Sequence, residues 1–185
     1  ASFPGEQNRP HDVQWDDVNG LALVGVQSDT AGGGSLWTYD PATDQSHMFV
    51  NPIDAQQYVR SVATRDGVAY LGGGLQNTDG PGTVVAFDPV NGQELWRMAP
   101  LPGAGIAALA VQGDYLYGLT RKGGFFVIDL VQRTVVHTAD VSAVSNGYAA
   151  LVRNRGVVYG VPDTDVFRFH PTTFGSNRGP ASRVR

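Results

Sequence analysis

The sequence predicts an all-β chain made of four successive four-stranded antiparallel meanders, and three observations lead there. One hairpin turn recurs as Tyr39-Asp40-Pro41, Phe87-Asp88-Pro89, Ile128-Asp129-Leu130 and Phe169-His170-Pro171, a period of about 40 to 50 residues, the size of one propeller blade. A second marker keeps step with it. Gly20, Gly67, Gly113 and Gly156 each stand ahead of an apolar run, at 21–24, 68–71, 115–117 and 157–159. Third, 24 Gly and 11 Pro punctuate a chain of 185 residues that is 42 % hydrophobic. That mixture buries a core while turning every few residues, as many short strands require.

Taken in order, unit one places strands at 13–15, 21–26, 35–39 and 46–50. Unit two, with strands at 59–64, 68–71, 83–87 and 94–98, has the clearest hairpin. Residues 83–87 are β-branched and aromatic, Asp88-Pro89 opens the turn with a capping carboxylate and a fixed φ, and Asn91-Gly92 supplies positive-φ positions before Glu94-Leu95-Trp96 resumes in extended form. Unit three runs 106–111, 115–119, 125–128 and 134–138; unit four offers 149–153, 157–161 and 166–169. After Phe169 the sequence has turn chemistry but no fourth strand. The expectation is one propeller domain or segment with blades at about 11–54, 55–101, 102–142 and 143–175, part of a larger propeller. An unfinished last blade exposes an apolar lateral face and unpaired backbone groups. Self-association, or completion by further blades, is expected to cover it, since Pro4-Gly5 interrupts any N-terminal strand in that role.

The segment Ala86-x-Asp88-x-x-Asn91-Gly92-x-x-x-Trp96 resembles the repeat of quinoprotein-like (PQQ-like) β-propellers, whose blades carry Ala-x-Asp-x-x-Thr-Gly-x-x-x-Trp. Unit two matches it throughout. Unit one keeps Asp40 and Thr43 but has Asp44 and Met48 in place of the glycine and tryptophan, and unit three keeps Asp129. The resemblance implies the fold and an extracytoplasmic setting, secreted or periplasmic. Its function stays open among alcohol dehydrogenases, assembly scaffolds and unassigned exported proteins.

Composition narrows the function classes. Thirteen basic against 17 acidic residues give a net charge of −4, which disfavours a nucleic-acid footprint. No apolar run approaches the roughly 18 residues of a membrane-spanning helix. The absence of Cys excludes disulfides, thiol nucleophiles and Cys-based metal sites. The chain opens at Ala1 with no initiator Met or signal peptide, as a processed precursor or an excised segment does. His11, His47, His137 and His170 share no ligand spacing, so no metal is expected. The Gly72-Gly73-Gly74 run is followed by neither a helix nor Gly-Lys-Ser/Thr, which excludes a phosphate loop. Trp15, Trp37 and Trp96 read as blade-packing aromatics.

In such a meander the loops between strands b and c, and those from d to the next a, emerge on one face. The b–c loops of units one and two, 27–34 and 72–82, are long and Gly-rich, making Asp29, Asn77 and Asp79 binding candidates. Counting back nine residues from each turn glycine reaches His11 and Tyr58 at the start of strand a, with Arg60 two residues further in and Tyr148 one register away. An arginine there can grip a carboxylate or sulfate in bidentate fashion. The expected function is non-catalytic binding or scaffolding in an exported protein, of a protein partner or a glycan, through this face. The alternative is the propeller portion of a carbohydrate-active lyase or hydrolase, or of a quinone-dependent dehydrogenase. No cofactor is expected, because the acid and cation set and the vicinal cysteines of a quinone site are missing.

Overall fold

A computed structural model describes residues 6–29, 32–75, 80–142, 149–162, 166–169 and 181–183. It is all-β, with no α-helix among those residues. Blade one is β1 (Gln7–Asp16), β2 (Leu21–Ser28), β3 (Gly34–Asp40) and β4 (Gln45–Val50); blade two is β5 (Gln57–Arg65), β6 (Val68–Leu75), β7 (Val84–Asp88) and β8 (Gln93–Met98). Blade three is β9 (Ile106–Gln112), β10 (Tyr115–Thr120), β11 (Gly124–Asp129) and β12 (Thr134–Asp140); blade four is β13 (Ala149–Asn154), β14 (Val157–Pro162), β15 (Phe167–Phe169) and β16 (Ala181–Arg183). Each is a separate antiparallel meander with strands in chain order, the propeller blade read from the sequence.

Recurrent turn chemistry sets the hairpins between strands c and d. Asp88 Oδ1 accepts the N–H groups of Val90 and Asn91, and Oδ2 accepts Asn91 Nδ2, an Asx-turn that leads into Gly92 at φ 72°. Asp129 repeats it with the N–H groups of Val131 and Gln132, and Asp40 with the N–H of Ala42 and the hydroxyl of Thr43. Asp44 at φ 56° and Arg133 at φ 56° fill the glycine's place. The left-handed position is therefore kept where the glycine is lost, at a cost of about 1–2 kcal/mol each.

Residues 1–106 and 107–185 form two units. In the first, Leu23 and Leu36 of blade one pack with Ile53 and with Val59, Val62, Leu71, Val85 and Phe87 of blade two, and Leu21 and Phe49 close the margin. In the second, Tyr117, Leu119, Phe125 and Val127 of blade three pack with Val158 and Phe169 of blade four. The outer strands β4, β8 and β12 are mostly exposed.

Three readings of the sequence change. Strand a of unit one starts at Gln7, not at 13, and includes Pro10, which a sheet-edge strand tolerates. The Gly72-Gly73-Gly74 run belongs to β6, not to a loop. A Cβ at Gly72 would stand 2.7 Å from Ile106 Cγ2, and one at Gly73 would stand 3.0 Å from Ile53 Cδ1, so these glycines admit close neighbours. Finally, blade four does have a fourth strand: β16 pairs with β15 through Phe167–Arg183, Arg168–Ser182 and Phe169–Ala181, beyond the 143–175 span.

Candidate ligand-binding site

Blade one and blade two carry the same irregularity in their first strands. In β1 the pairing runs Pro10–Val26 and then Asp12–Gly25, leaving His11 as the extra residue. In β5 it runs Val59–Gly73 and then Ser61–Gly72, leaving Arg60. A bulge of this kind bends the strand and re-aims its side chain. His11 and Arg60 are therefore structural equivalents. Counting from the turn glycine pairs His11 with Tyr58 instead, because the turn of blade one takes four residues, 17–20, and that of blade two takes two, 66–67.

The two bulged side chains meet around Tyr58. Its ring lies 4.9 Å from the His11 imidazole, tilted by 35°, and its Oη accepts a 3.0 Å hydrogen bond from Arg60 Nη1. Tyr58 itself is 3 % exposed; it is a wall of the site. Arg60 Nε is buried and has no hydrogen-bond partner, so the guanidinium has unused donors. His11 Nε2 donates to Gln27 Oε1 at 2.8 Å, and the Gln27 side chain is in turn buried.

Asp29 sits at the end of this cluster. It forms an ion pair with Arg9, and its N–H donates to Glu6 O at 2.9 Å. These contacts continue the β1–β2 pairing by one residue past Gln7–Ser28 and place a carboxylate beside Arg9. Asp12, which the sequence did not single out, fastens the two blades: Oδ2 accepts Val62 N–H at 2.8 Å while Oδ1 accepts Val13 N–H at 2.8 Å. Burial pushes its carboxyl above the usual range against those hydrogen bonds. Burial also holds His11 below the ordinary imidazole value. The Gln27 hydrogen bond opposes this, the Arg60 and Arg9 charges add to it, and Asp12 opposes. The cluster therefore presents a neutral imidazole, one tethered guanidinium with donors to spare, and a phenol. Such a set has the chemistry to hold an anion by hydrogen bonds and charge.

Of the sequence candidates, His11, Tyr58 and Arg60 come together and Asp29 flanks them. Asn77, Asp79 and Tyr148 lie outside the described residues. Among the described residues, no group of three or more His, Asp or Glu could hold a metal ion, and no helix is long and apolar enough to cross a membrane. A groove of about 690 Å³ opens between blades one and two at their a–b and c–d turns, lined by Leu21, Thr38, His47, Phe49, Pro89 and Val90 among others. The sequence pointed to the other end of the blades. The signal for this groove was His47-x-Phe49, two rings on one face of an outer strand.

A search of curated protein sequences gives no match. Comparison with solved structures shows the fold. BamB from Moraxella catarrhalis superposes with a TM-score of 0.64 at 19 % identity, over 90 % of this chain and 45 % of that one. The WD40 repeats of RRP9 give 0.71 at 14 % identity, over 91 % of this chain and 50 % of theirs. The computationally designed Ika4 protein gives 0.66 at 18 % identity, over 91 % of this chain and 95 % of its own. The chain spans about half the length of the larger relatives. In sequence, the family of PQQ-like propellers described as outer membrane protein assembly factor BamB matches residues 23–173, and the chain belongs to that family.

Proposed function

We propose that this chain is a non-catalytic protein-binding propeller segment that works outside the cytoplasm and grips an acidic stretch of a partner through the His11–Tyr58–Arg60 cluster. One observation carries the reading: two adjacent blades spend a β-bulge each on aiming His11 and Arg60 at one tyrosine, and the Arg60 guanidinium is left with an orphaned buried donor. A buried donor without a partner destabilises the free protein, and a carboxylate at the guanidinium offsets that cost. The family description as an assembly factor supports a scaffold, and its outer-membrane association supports the extracytoplasmic location.

Calorimetric titration with an oligo-glutamate peptide at low salt, with oligo-glutamine as the uncharged control, tests this. Arg60→Ala is expected to weaken binding by roughly 1.5–3 kcal/mol, the range for a hydrogen bond to a charged group. Equal affinities for wild type and variant would overturn the assignment, as would equal affinity for the two peptides.

The same titration has an expected pH dependence. His11 is mostly neutral at pH 7 because burial and two guanidinium groups hold its pKa down. A bound carboxylate raises it again, so binding takes up a proton and affinity rises as pH falls from 7 toward 5, above the range where glutamate itself titrates. His11→Gln should flatten the profile. Folding linkage runs the other way: the unfolded imidazole titrates higher than the folded one, so acidification through that window lowers stability. Thermal melts at each pH separate the two effects.

A further inference from the structure

Every blade has two faces, and the cross-strand rows identify them. On one face of blade one lie the rows Val13–Val24–Trp37–Met48 and Trp15–Ala22–Tyr39–Ser46. Counted from the bulges at His11 and Arg60, their equivalents in blade two are Val62–Leu71–Val85–Arg97 and Thr64–Ala69–Phe87–Glu94. In blade two, that face is covered: Val62, Leu71, Val85, Ala69 and Phe87 are buried against Leu23 and Leu36 of blade one. In blade one the corresponding face is open. Val13 is 62 % exposed and Trp15 is 53 % exposed, while Trp37 and Tyr39 stack at 5.8 Å, nearly parallel, and stay only half-buried. These rows are therefore built like a face that packs under a blade.

Within the second unit the converse face is open. Blade four turns Leu151, Val158, Phe167 and Phe169 toward blade three. Its opposite face carries the row Val152–Tyr159–Arg168 and the pair Ala150–Val161, with Val152 58 % and Val161 40 % exposed. This is the side that, in blade one, bears Leu23 and Leu36 and covers the blade that follows.

We propose that the open face of blade one takes the open face of blade four from a second copy of this chain, in a heterologous contact. Both halves of a blade-on-blade interface are on the chain, each with exposed apolar side chains, Val13 and Trp15 on one and Val152 and Val161 on the other. Heterologous contacts close into a ring or continue as a chain, depending on the rotation each one imposes.

Light scattering and sedimentation of the full chain at up to about 100 µM, where contacts with Kd in the micromolar range are filled, should give a mass of at least twice the 19.7 kDa of one chain. Trp15→Glu and Val152→Glu each place a charge among the exposed apolar side chains of one face and should weaken association at least ~30-fold, the loss expected where an interface residue carries much of the binding energy. Both positions are exposed, so circular dichroism and melting of the variants should match the wild type; Trp15→Ser serves if the glutamate variant fails to fold. Mixing the two variants is the sharper test, because each retains one intact face of opposite type, and the mixture should form a 1:1 heterodimer. A wild-type monomer throughout, association unaffected by Trp15 variants, or a mixture that stays monomeric would each overturn the proposal.

Discussion

Phe125→Ala is expected to cost the second unit about 3–5 kcal/mol, the range for emptying an aromatic site in a packed core. Phe125 is fully buried. Its ring stacks on Phe169 at 4.2 Å and 6°, meets Tyr117 at 6.3 Å, and stands edge-on to His137 at 6.0 Å, and such pairs add to their simple burial. The stack is where blade four is held to blade three. β15 and β16 have three residues each, too few for ladder hydrogen bonds alone to hold them, so Phe169 must anchor that edge by insertion. Urea unfolding followed by far-ultraviolet circular dichroism measures the loss, with Phe125→Leu as a milder substitution that keeps most of the volume. A loss below about 1 kcal/mol for the alanine variant would show that the ring stack does not hold the last blade.

The same stack shows why the last blade was only partly legible in the sequence. Phe169 announces β15 through its place in the period, but Ala181-Ser182-Arg183 has neither alternation nor β-branched residues. Its strand state comes from the neighbour it pairs with, which is tertiary context overriding local preference. By contrast, the c–d turns were readable because Asp40, Asp88 and Asp129 each accept the amides two or three residues ahead, or the Thr43 hydroxyl in blade one. That chemistry is local, so the residue types reveal it.

The candidate site lies between these cases. His11, Tyr58 and Arg60 were found because they precede a turn marker, yet their mutual register was not. The two extra residues in the turn 17–20 shift the count, and a bulge has no sequence signature of its own when the extra residue is not glycine. The glycines of β6 were misread for a related reason. A glycine selected for close approach looks, in one dimension, like a glycine selected for a turn. Asp12 escaped notice altogether because its partner, the Val62 amide, is a backbone group on the next blade.

Gly25→Val is expected to disrupt the first unit strongly, costing about 3 kcal/mol, the upper end of the usual overpacking range. Gly25 lies in β2 opposite Asp12, directly after the His11 bulge. A Cβ there would stand 2.8 Å from Val59 O, 3.0 Å from Val59 Cγ1 and 3.1 Å from Val62 Cγ2. The side chains can turn away in part, but the carbonyl oxygen belongs to β5 and moves only if blade two moves. Local preference cannot be the cause, because a β-branched residue suits a strand better than glycine does. Val59 also precedes the Arg60 bulge, so displacing β5 draws Arg60 and Tyr58 away from His11 and strains the Asp12 hydrogen bond to Val62. The substitution should therefore lower the urea midpoint and, under conditions where the variant is still folded, weaken oligo-glutamate binding as well. Gly25→Ala, with fewer atoms to place, should show both effects at smaller size. A valine variant as stable as the wild type would mean that β2 and β5 do not approach so closely, and the pairing of His11 with Arg60 around Tyr58 would fall with that contact.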